Sequence, residues 1–555
     1  MNCNRHIASR LGVLAWLLLA SGVLLHAAEA PGKYYDGMPR GTGNYSDFVA
    51  LWDEFREWRN EPRSEFGKDA ITRREDQLSD FRSRLEDMAV DQWILSQQAE
   101  FLAVRAKFDQ QDFTLRISRP WARDPGFYVD RLLRVTFTDL PASGEALAEL
   151  ERRLDGIPQL VAEAKRNLTD VAADYADLAI FNLSNADGVG HGYPWREVPP
   201  PGVIGWYGDL LERADEEQPE LKGKITAAKA AVEDLRDWLT ANRASMSGKA
   251  GVGEAAFNWY LRHVKLMPFT TEQIVTLGER ELDRLWAQYA LERHRNRNLP
   301  EIELPASAED YQQRIDDTDR AIRSFLVDEE IITIPDYVGK LDTNVPWIVR
   351  DGGPNFWEQV QYRNPSPDHL HAVIPGHRFD ALVERNNTHP VRRYLTDGAR
   401  VEGWAVYLEE AMMYAGLLEA KPRVRELIYL FGIFRAARMP ADVWLQTNTM
   451  TAQQVADYWI ERVPWLDRDV ARVDAEIYLR RPPGYGLGYM TGMLQMQQLL
   501  AEQKRRLGDD FSLKTFHDNL MAFGRLPLSL VRWEMTGNDD EVAALWKRAP
   551  MPVSR

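Results

Sequence analysis

Helical periodicity dominates this chain after residue 44. Apolar residues recur at three- and four-residue spacing among charged ones, which places them on one face of an α-helix. The segments with this spacing are residues 46–60, 72–108, 143–180 and 310–326. Thr270 and Gln273 have the pattern of a capping box, which predicts another helix running to about Arg295. The chain is therefore expected to be a mainly α protein.

Composition narrows the classes of partner and of metal site. The chain has 555 residues and a formal net charge of −16, so it offers no electrostatic attraction for nucleic acid or anionic lipid. Its only cysteine is Cys3. Disulfides and thiolate ligands are therefore excluded from the rest of the chain, and any metal must be bound by nitrogen and oxygen.

The first thirty residues have the features of a signal peptide. Arg5 and Arg10 precede an apolar run over residues 11–25, and Ala28-Glu29-Ala30 fits a small-residue cleavage site. The run is short for a membrane span, which needs about twenty residues. No cysteine lies at the cleavage site, so a lipid anchor is not expected. We predict cleavage of residues 1–30, export to the periplasm or the medium, and no membrane attachment afterwards.

Four histidines lie close together in the chain: His369, His371, His377 and His389. His371 and His377 are six residues apart, and on a regular helix their side chains would point about 120° apart. Pro375 disrupts a helix, and Gly376 permits backbone angles that other residues avoid. A helix broken at these residues can direct both imidazoles to one metal ion. The alternative is a helix that ends there and leaves both histidines exposed.

Glu402 and Glu409 are seven residues apart and share one stripe of a predicted helix. By themselves they could form an exposed helix face. After the two histidines, Glu402 completes the ligand set of a catalytic zinc site with an open position. We therefore predict one zinc ion bound by His371, His377 and Glu402. Glu409 is expected to orient a histidine through its other ring nitrogen, and His369 to support the ligands.

The position after the first histidine is unusual. A zinc hydrolase of this type normally carries a glutamate there as general base, and this chain has Ala372. A positioned acid or base contributes roughly a hundred- to ten-thousand-fold to the rate. The sequence therefore predicts weak or altered peptide hydrolysis. Asp380, one turn after His377, and Glu409 are the nearest carboxylates in sequence, and Asp380 is expected beside the ligands.

These motifs resemble a bacterial family of predicted zinc metallopeptidases, domain-of-unknown-function family 885. Its motifs are His-Glu-Ala-x-Pro-Gly-His, Glu-Gly-Trp-Ala-x-Tyr-x-Glu, Arg-Tyr-x-x-x-Pro-Gly-Gln-Ala-x-x-Tyr, and Phe-His-Asp-x-Leu followed by Gly-x-Leu-Pro-Leu. The second motif is complete at residues 402–409, and the last is matched at residues 516–520 and 524–528. The similarity is clear over residues 250–535.

The resemblance implies a large helical body with a deep cleft, similar to carboxypeptidase Taq, thimet oligopeptidase and angiotensin-converting enzyme. By position it carries over the same three zinc ligands. The third motif is changed, because Tyr478 and Leu479 stand where Arg-Tyr is usual and Tyr485 replaces the glutamine. Tyr489 and Tyr485 are candidate donors to an oxyanion, although Tyr485 could be a packed aromatic instead. His517 is expected to pack in the core.

Two further features concern the organisation of the chain. Residues 31–250 are predicted to form a helix-rich N-terminal half, and residues 251–555 a metallopeptidase-like half. Strand signals occur at residues 330–335 and, more weakly, at residues 113–117. We predict a small β-sheet near the metal helix, where an extended peptide could pair with a strand edge.

Three functions stay open on this evidence. The first is an exported zinc metallopeptidase-like hydrolase that acts on a peptide or another small extended substrate without the usual base. The second is a catalytically silent pseudopeptidase that binds peptides or a partner protein in the cleft. The third is a different metal-assisted reaction on a non-peptide ligand.

Overall fold

The computed structural model describes residues 41–552 except 64, 186–193, 195, 197 and 344. The predicted signal peptide, residues 1–30, lies outside these residues. Helices make up most of the described chain, so the prediction of a mainly α fold is confirmed. The α-helices are α1 (Tyr45–Asn60), α2 (Lys68–Glu86), α3 (Leu95–Phe113), α4 (Pro120–Arg123), α5 (Gly126–Val135), α6 (Gly144–Asn167), α7 (Ala173–Ser184), α8 (Gly202–Glu217), α9 (Lys222–Asn242), α10 (Glu254–His263), α11 (Thr271–Arg295), α12 (Ala308–Asp328), α13 (Phe356–Arg363), α14 (Ser366–Asp368), α15 (His377–Arg385), α16 (Gly398–Tyr414), α17 (Pro422–Gln446), α18 (Ala452–Arg462), α19 (Arg468–Arg480), α20 (Gly488–Leu507), α21 (Leu513–Ala522) and α22 (Leu528–Thr536).

Short helical turns connect several of these helices. Two are π-helical turns, Thr114–Ser118 and His369–Val373. The 3₁₀ turns are Val90–Gln92, Pro219–Leu221, Arg243–Ser245, Arg392–Tyr394 and Gly508–Asp510. The π-helical turn at His369–Val373 lies within the histidine cluster.

The predicted capping box is present at the start of α11. The Thr270 hydroxyl accepts the backbone N–H of Gln273, and the Gln273 side chain accepts the N–H of Thr270. The helix ends at Arg295, as predicted. Residues 72–108 and 143–180, by contrast, each contain parts of two helices. Periodicity does not reveal the break between α2 and α3, because Met88, Val90 and Trp93 in the connection are also buried.

The predicted small β-sheet is wrong for the part of the chain that the structure covers. Residues 113–117 belong to the end of α3 and to the π-helical turn after it. Residues 331–335 are irregular, and the only β-pairing among the described residues is in isolated bridges elsewhere. A short apolar run does not distinguish a strand from a buried helix or a buried connection.

Side chains of α21 replace the missing strand partner at residues 331–333. His517 Nδ1 lies 2.8 Å from the carbonyl oxygen of Ile331, and the N–H of Thr333 donates to Asp518 Oδ1 at 2.8 Å. His517 Nε2 lies 3.0 Å from the hydroxyl of Tyr407 in α16. The buried carbonyl of Ile331 needs a hydrogen-bond partner, which His517 supplies, and the contact of the exposed Thr333 with Asp518 further fixes the irregular segment. His517 itself is fully buried.

Contacts join the two predicted halves of the chain. One hydrophobic core cluster includes residues from Phe48 to Trp546. Arg480 donates to Asp124 at 3.0 Å across the predicted boundary at residue 250. The division into residues 31–250 and 251–555 stays a prediction. In the described part of the chain, no helix is both long enough and apolar enough to span a membrane.

Helices α16 and α20 pack with their backbones in contact. A Cβ atom added at Gly403 would lie 2.4 Å from the Cα atom of Gly492, and one added at Gly492 would lie 2.0 Å from the carbonyl oxygen of Ala399. Glycine at both positions allows this approach. It brings the helix that carries Glu402 against the helix that carries Tyr489.

The variant Gly492→Ala is expected to lower the free energy of unfolding by about 1–3 kcal/mol, because its methyl group must separate two helix backbones. Gly156→Ala in α6 is the matched control, since nothing lies within 4 Å of its added Cβ. Alanine there should stabilise the helix by about 0.5–1 kcal/mol. Urea unfolding measures both changes. A Gly492→Ala protein as stable as wild type would contradict the close packing.

The stability of the protein is expected to fall in mild acid partly because of His517. Burial lowers the pKa of this ring to about 4 in the folded chain, against about 6.5 when unfolded. Its contribution to stability is therefore complete above pH 6.5 and is lost as the pH falls from 6.5 to 4, by up to about 3 kcal/mol.

Urea unfolding at several pH values between 4 and 7 tests this effect. His517→Gln should show a shallower dependence of unfolding free energy on pH than wild type. His294→Gln, which replaces an exposed histidine, should keep the wild-type slope. Identical slopes for His517→Gln and wild type would refute the assignment.

Candidate metal centre

The chain between the two predicted histidine ligands is not a continuous helix. His371 lies in the π-helical turn His369–Val373, and α15 begins at His377. Gly376 approaches the preceding turn so closely that a Cβ atom would lie 1.9 Å from the carbonyl oxygen of His371. The interruption at Pro375 and Gly376 directs His377 back towards His371. The side chain of His371 is only 10% exposed. A helix that simply ended at this point would leave it exposed.

Glu402 of α16 joins these two histidines. His371 Nε2 and His377 Nε2 are 3.1 Å apart, and Glu402 Oε2 lies 3.7 Å from the first and 3.2 Å from the second. Within the described ranges, these three residues form the one group of His, Cys, Asp or Glu side chains arranged to hold a metal ion. The structure therefore brings the three predicted ligands together.

The spacing of the three atoms fits a zinc ion. Ligand atoms at 2.0–2.1 Å from a tetrahedral zinc are about 3.3 Å from one another, which matches the observed separations. Glu402 Oε2 is also buried and has no hydrogen-bond partner. An ionised oxygen without a partner is costly in a protein interior, and a cation between these three atoms would remove that cost.

The protonation states at the centre suit metal binding. Burial, then the charges of Arg435, His377 and Arg438, hold the pKa of His371 well below its usual value, so its ring is neutral. Burial raises the pKa of Glu402, but its contacts with His377 and the Tyr485 hydroxyl outweigh that effect and the net pKa is lowered. A neutral imidazole and an ionised carboxylate are the forms that bind metals.

The second ring nitrogen of His371 faces a buried ion pair. Its Nδ1 lies 2.8 Å from Glu409 Oε1 and 3.2 Å from Arg435 Nη2. Burial raises the pKa of Glu409, and Arg435, whose Nη1 donates to Glu409 Oε2, opposes that effect. The tautomer of His371 with its proton on Nδ1, facing the Glu409 carboxylate, is the one that leaves the Nε2 lone pair available for a metal. Glu409 and Glu402 therefore lie at opposite ring nitrogens of His371.

Tyr485 and Tyr489 both lie beside the centre. The Tyr485 hydroxyl donates to Glu402 Oε1 at 3.2 Å, and the two phenolic oxygens are 3.0 Å apart. The ring of Tyr489 is parallel to that of His371, with centroids 6.4 Å apart. Burial, then the charge of Glu402, raises the pKa of both hydroxyls, so they remain protonated donors.

The other predicted site residues have different partners. His369 is fully buried, and its Nε2 lies 2.8 Å from Asp319 Oδ1 in α12. Asp380 accepts from Arg525 at 2.9 Å and from Arg400 at 3.4 Å. Ala372 is buried in the π-helical turn. The carboxylate beside the two histidine Nε2 atoms is that of Glu402. Asp380 and Glu409 are not part of this group, and Ala372 has no carboxylate.

Sequence reasoning missed three residues of α17: Arg435, Arg438 and Asp442. Arg438 lies 4.9 Å from the ring centre of Tyr489 and donates to Asp474 at 2.6 Å. All three are buried. They are also the only charged residues between positions 427 and 443, and they are spaced three and four apart on one helix face. Charged residues in such an apolar run require buried partners, and this signal could have identified them.

Asp442 holds the loop that carries Tyr485. Its Oδ2 accepts the backbone N–H of Leu487 at 2.9 Å. Burial raises the pKa of Asp442 to about 7, although the N–H groups of Leu487, Gly486 and Gly484 lower it. Gly484 has φ +78°, a left-handed conformation that favours glycine. The carboxylate of Asp442 in α17 thus fixes the loop that carries Tyr485.

Comparison with known proteins gives a family and a fold. The family described as "Bacterial protein of unknown function (DUF885)" matches residues 57–334 and 369–535. No curated protein matches the chain. A structure of a candidate lipoprotein of unknown function from Shewanella oneidensis has a TM-score of 0.67 at 16% identity, covering 89% of this chain and 100% of that one.

A second structure has the same fold. It is a candidate lipoprotein from Colwellia psychrerythraea, with a TM-score of 0.65 at 17% identity, and the match covers 89% of this chain and 98% of that one. At these identities the likeness concerns the fold alone. The family match covers well over half of the chain and includes His371, His377 and Glu402. The chain therefore belongs to the DUF885 family of bacterial proteins of unknown function.

Proposed function

We propose that this protein is an exported metal-dependent hydrolase in which His371, His377 and Glu402 bind one zinc ion. The observation that carries the proposal is the convergence of their three ligand atoms, which lie 3.1 to 3.7 Å from one another. One of the three, Glu402 Oε2, is buried and accepts no hydrogen bond. Two histidines and one glutamate leave a tetrahedral zinc with an open position. Its substrate would be a peptide or another small extended molecule.

A bound zinc ion would supply Lewis-acid chemistry, because it polarises a carbonyl oxygen and lowers the pKa of a water molecule. The phenol pair would supply hydrogen-bond donation. A phenol has one proton, and that of Tyr485 already points to Glu402. The 3.0 Å contact between the two phenols is then donated by Tyr489, whose hydroxyl can rotate from Tyr485 towards a developing oxyanion. Tyr489 is therefore the proposed donor to that oxyanion, and Tyr485 the residue that orients the ligand carboxylate.

In the part of the chain that the structure describes, the proposed hydrolase lacks a carboxylate placed to act as the general base. Ala372 occupies the usual position of the base, Glu409 contacts the far nitrogen of His371, and Asp380 is paired with two arginines. We propose weak hydrolysis of peptide bonds for this reason. The same observation favours a second candidate, a pseudopeptidase that binds peptides or a partner without cleaving them. A different metal-assisted reaction on a non-peptide ligand is the third candidate.

Location outside the cytoplasm is part of the proposal. The first thirty residues have the composition of a signal peptide. The two similar structures are both described as candidate lipoproteins, and this description supports the proposed location for the present chain.

Purified protein is expected to contain about one zinc ion per chain, and His377→Ala to contain almost none, because the variant loses one of three ligands. Elemental analysis after dialysis measures both. His294→Ala, which replaces an exposed histidine outside the centre, is the control and should bind as much zinc as wild type. Zinc-free wild-type protein after reconstitution would overturn the proposed function.

Ala372→Glu is expected to raise peptide hydrolysis by roughly a hundred- to ten-thousand-fold, because it restores a carboxylate next to His371. A peptide-library digest analysed by mass spectrometry measures the change. Ala372→Gln is the matched control, since its side chain has nearly the same size and cannot accept the proton. It should show no gain.

The wild-type protein in the same digest separates the candidates. Slow cleavage that disappears in His377→Ala supports the hydrolase. If the wild type cleaves nothing and only Ala372→Glu is active, the pseudopeptidase is correct. If zinc is bound and neither protein cleaves any peptide, the peptide hydrolase is refuted and a non-peptide reaction is favoured.

A further inference from the structure

Arg481 is an exposed guanidinium next to the phenol pair. Its guanidinium carbon lies 4.4 Å from the ring centre of Tyr485. The hydroxyl of the same ring donates to Glu402 Oε1. Tyr485 therefore contacts both this guanidinium, through its ring face, and the carboxylate of a proposed metal ligand, through its hydroxyl. A cation stacked on an aromatic face keeps its hydrogen-bond donors free in the plane of the guanidinium.

Arg481 differs from the preceding residue, Arg480, in how its charge is neutralised. Arg480 lies 3.0 Å from Asp124, 2.8 Å from Asp130 and 3.1 Å from Glu476, so three carboxylates neutralise it. Arg481 has no carboxylate within ion-pair distance in the portion of the chain that the structure includes. In a chain with a formal net charge of −16, an unneutralised arginine beside the centre makes a local site for an anion.

The backbone around Arg481 is held in place. Pro482 and Pro483 follow directly, and a residue before proline is restricted to extended conformations. Arg481 has φ −72° and ψ 165°, as this restriction requires. Six residues after Arg481 the loop is fixed again, where Asp442 accepts the N–H of Leu487. The guanidinium is therefore presented from a preorganised segment, which lowers the entropy cost of binding an anion.

We propose that Arg481 binds the terminal carboxylate of a short peptide whose scissile carbonyl lies at the metal centre. The proposal rests on the proposed function. A guanidinium forms two parallel hydrogen bonds to a carboxylate, which fits a chain terminus better than a neutral amide. Because Tyr485 contacts both Arg481 and Glu402, and an extended residue spans about 3.5 Å, the proposed scissile bond lies within a few residues of the chain end. Arg438, on the other phenol, is already paired with Asp474.

Calorimetric titration of the full chain tests this role without relying on turnover. Three peptides of one sequence serve as probes: one with a free carboxyl end, one with an amide end, and one with an amide end and a final glutamate. The proteins are wild type, Arg481→Gln and Arg505→Gln. Arg505 is an exposed arginine of α20, sixteen residues beyond Tyr489 and so about 24 Å along the helix. Urea unfolding verifies that each variant is folded.

Wild type and Arg505→Gln are expected to bind the free-carboxyl peptide about ten- to a hundredfold more tightly than the amide peptide. This is the gain in affinity expected from a hydrogen bond to a charged group. Arg481→Gln should bind both equally. Discrimination that persists in Arg481→Gln, or equal binding of both ends by wild type, overturns the role. So does undetectable binding by wild type at millimolar peptide. Tighter binding of the glutamate peptide than of the free-carboxyl peptide would overturn recognition of the chain end.

Metal content measured on the same samples separates the two proposals. Zinc-free wild type overturns the metal-dependent hydrolase, whatever the titrations show. Zinc-loaded wild type without discrimination between the peptide ends overturns only the role of Arg481. Discrimination by a zinc-free chain would support Arg481 as a peptide-binding residue of the pseudopeptidase.

Discussion

The candidate centre depends on one buried ion pair. Arg435 of α17 donates to Glu409 of α16, and both contact the far nitrogen of His371 in the π-helical turn. Each charge is taken out of water and is stable there only because of the other, so removal of either partner leaves an uncompensated charge in the core. This pair joins three segments and fixes the ring of His371 towards His377 and Glu402.

Glu402, Tyr485 and Tyr489 are positioned by contacts that do not involve Ala372, which occupies the usual position of the general base. Gly403 and Gly492 let α16 approach α20, which sets Glu402 beside Tyr489. Asp442 anchors the loop of Tyr485. None of these contacts requires a glutamate at position 372. The arrangement of the three candidate ligands therefore does not depend on the residue at position 372, because side chains of packed helices orient them.

Sequence patterns predicted helices well and strands badly. The capping box at Thr270 depends on side-chain and backbone groups three residues apart, so local sequence is sufficient to predict it. The run at residues 330–335 has the β-branched composition of a strand, but a strand needs a partner. In the fold, His517 and Asp518, nearly two hundred residues away, satisfy its backbone instead. No local pattern contains that information.

The sequence by itself determined the helical class, the family motifs and the identity of the three grouped ligands, because each of these depends on residues close together in the chain or on motif order. Only the tertiary structure decided that His371 and His377 face one point and that Glu409 is paired with Arg435. It also decided that no carboxylate of the described residues pairs with Arg481. Those facts depend on which side chains of separate helices meet in a low-dielectric interior. Packing decides such pairings, because a buried charge is stable only beside its partner.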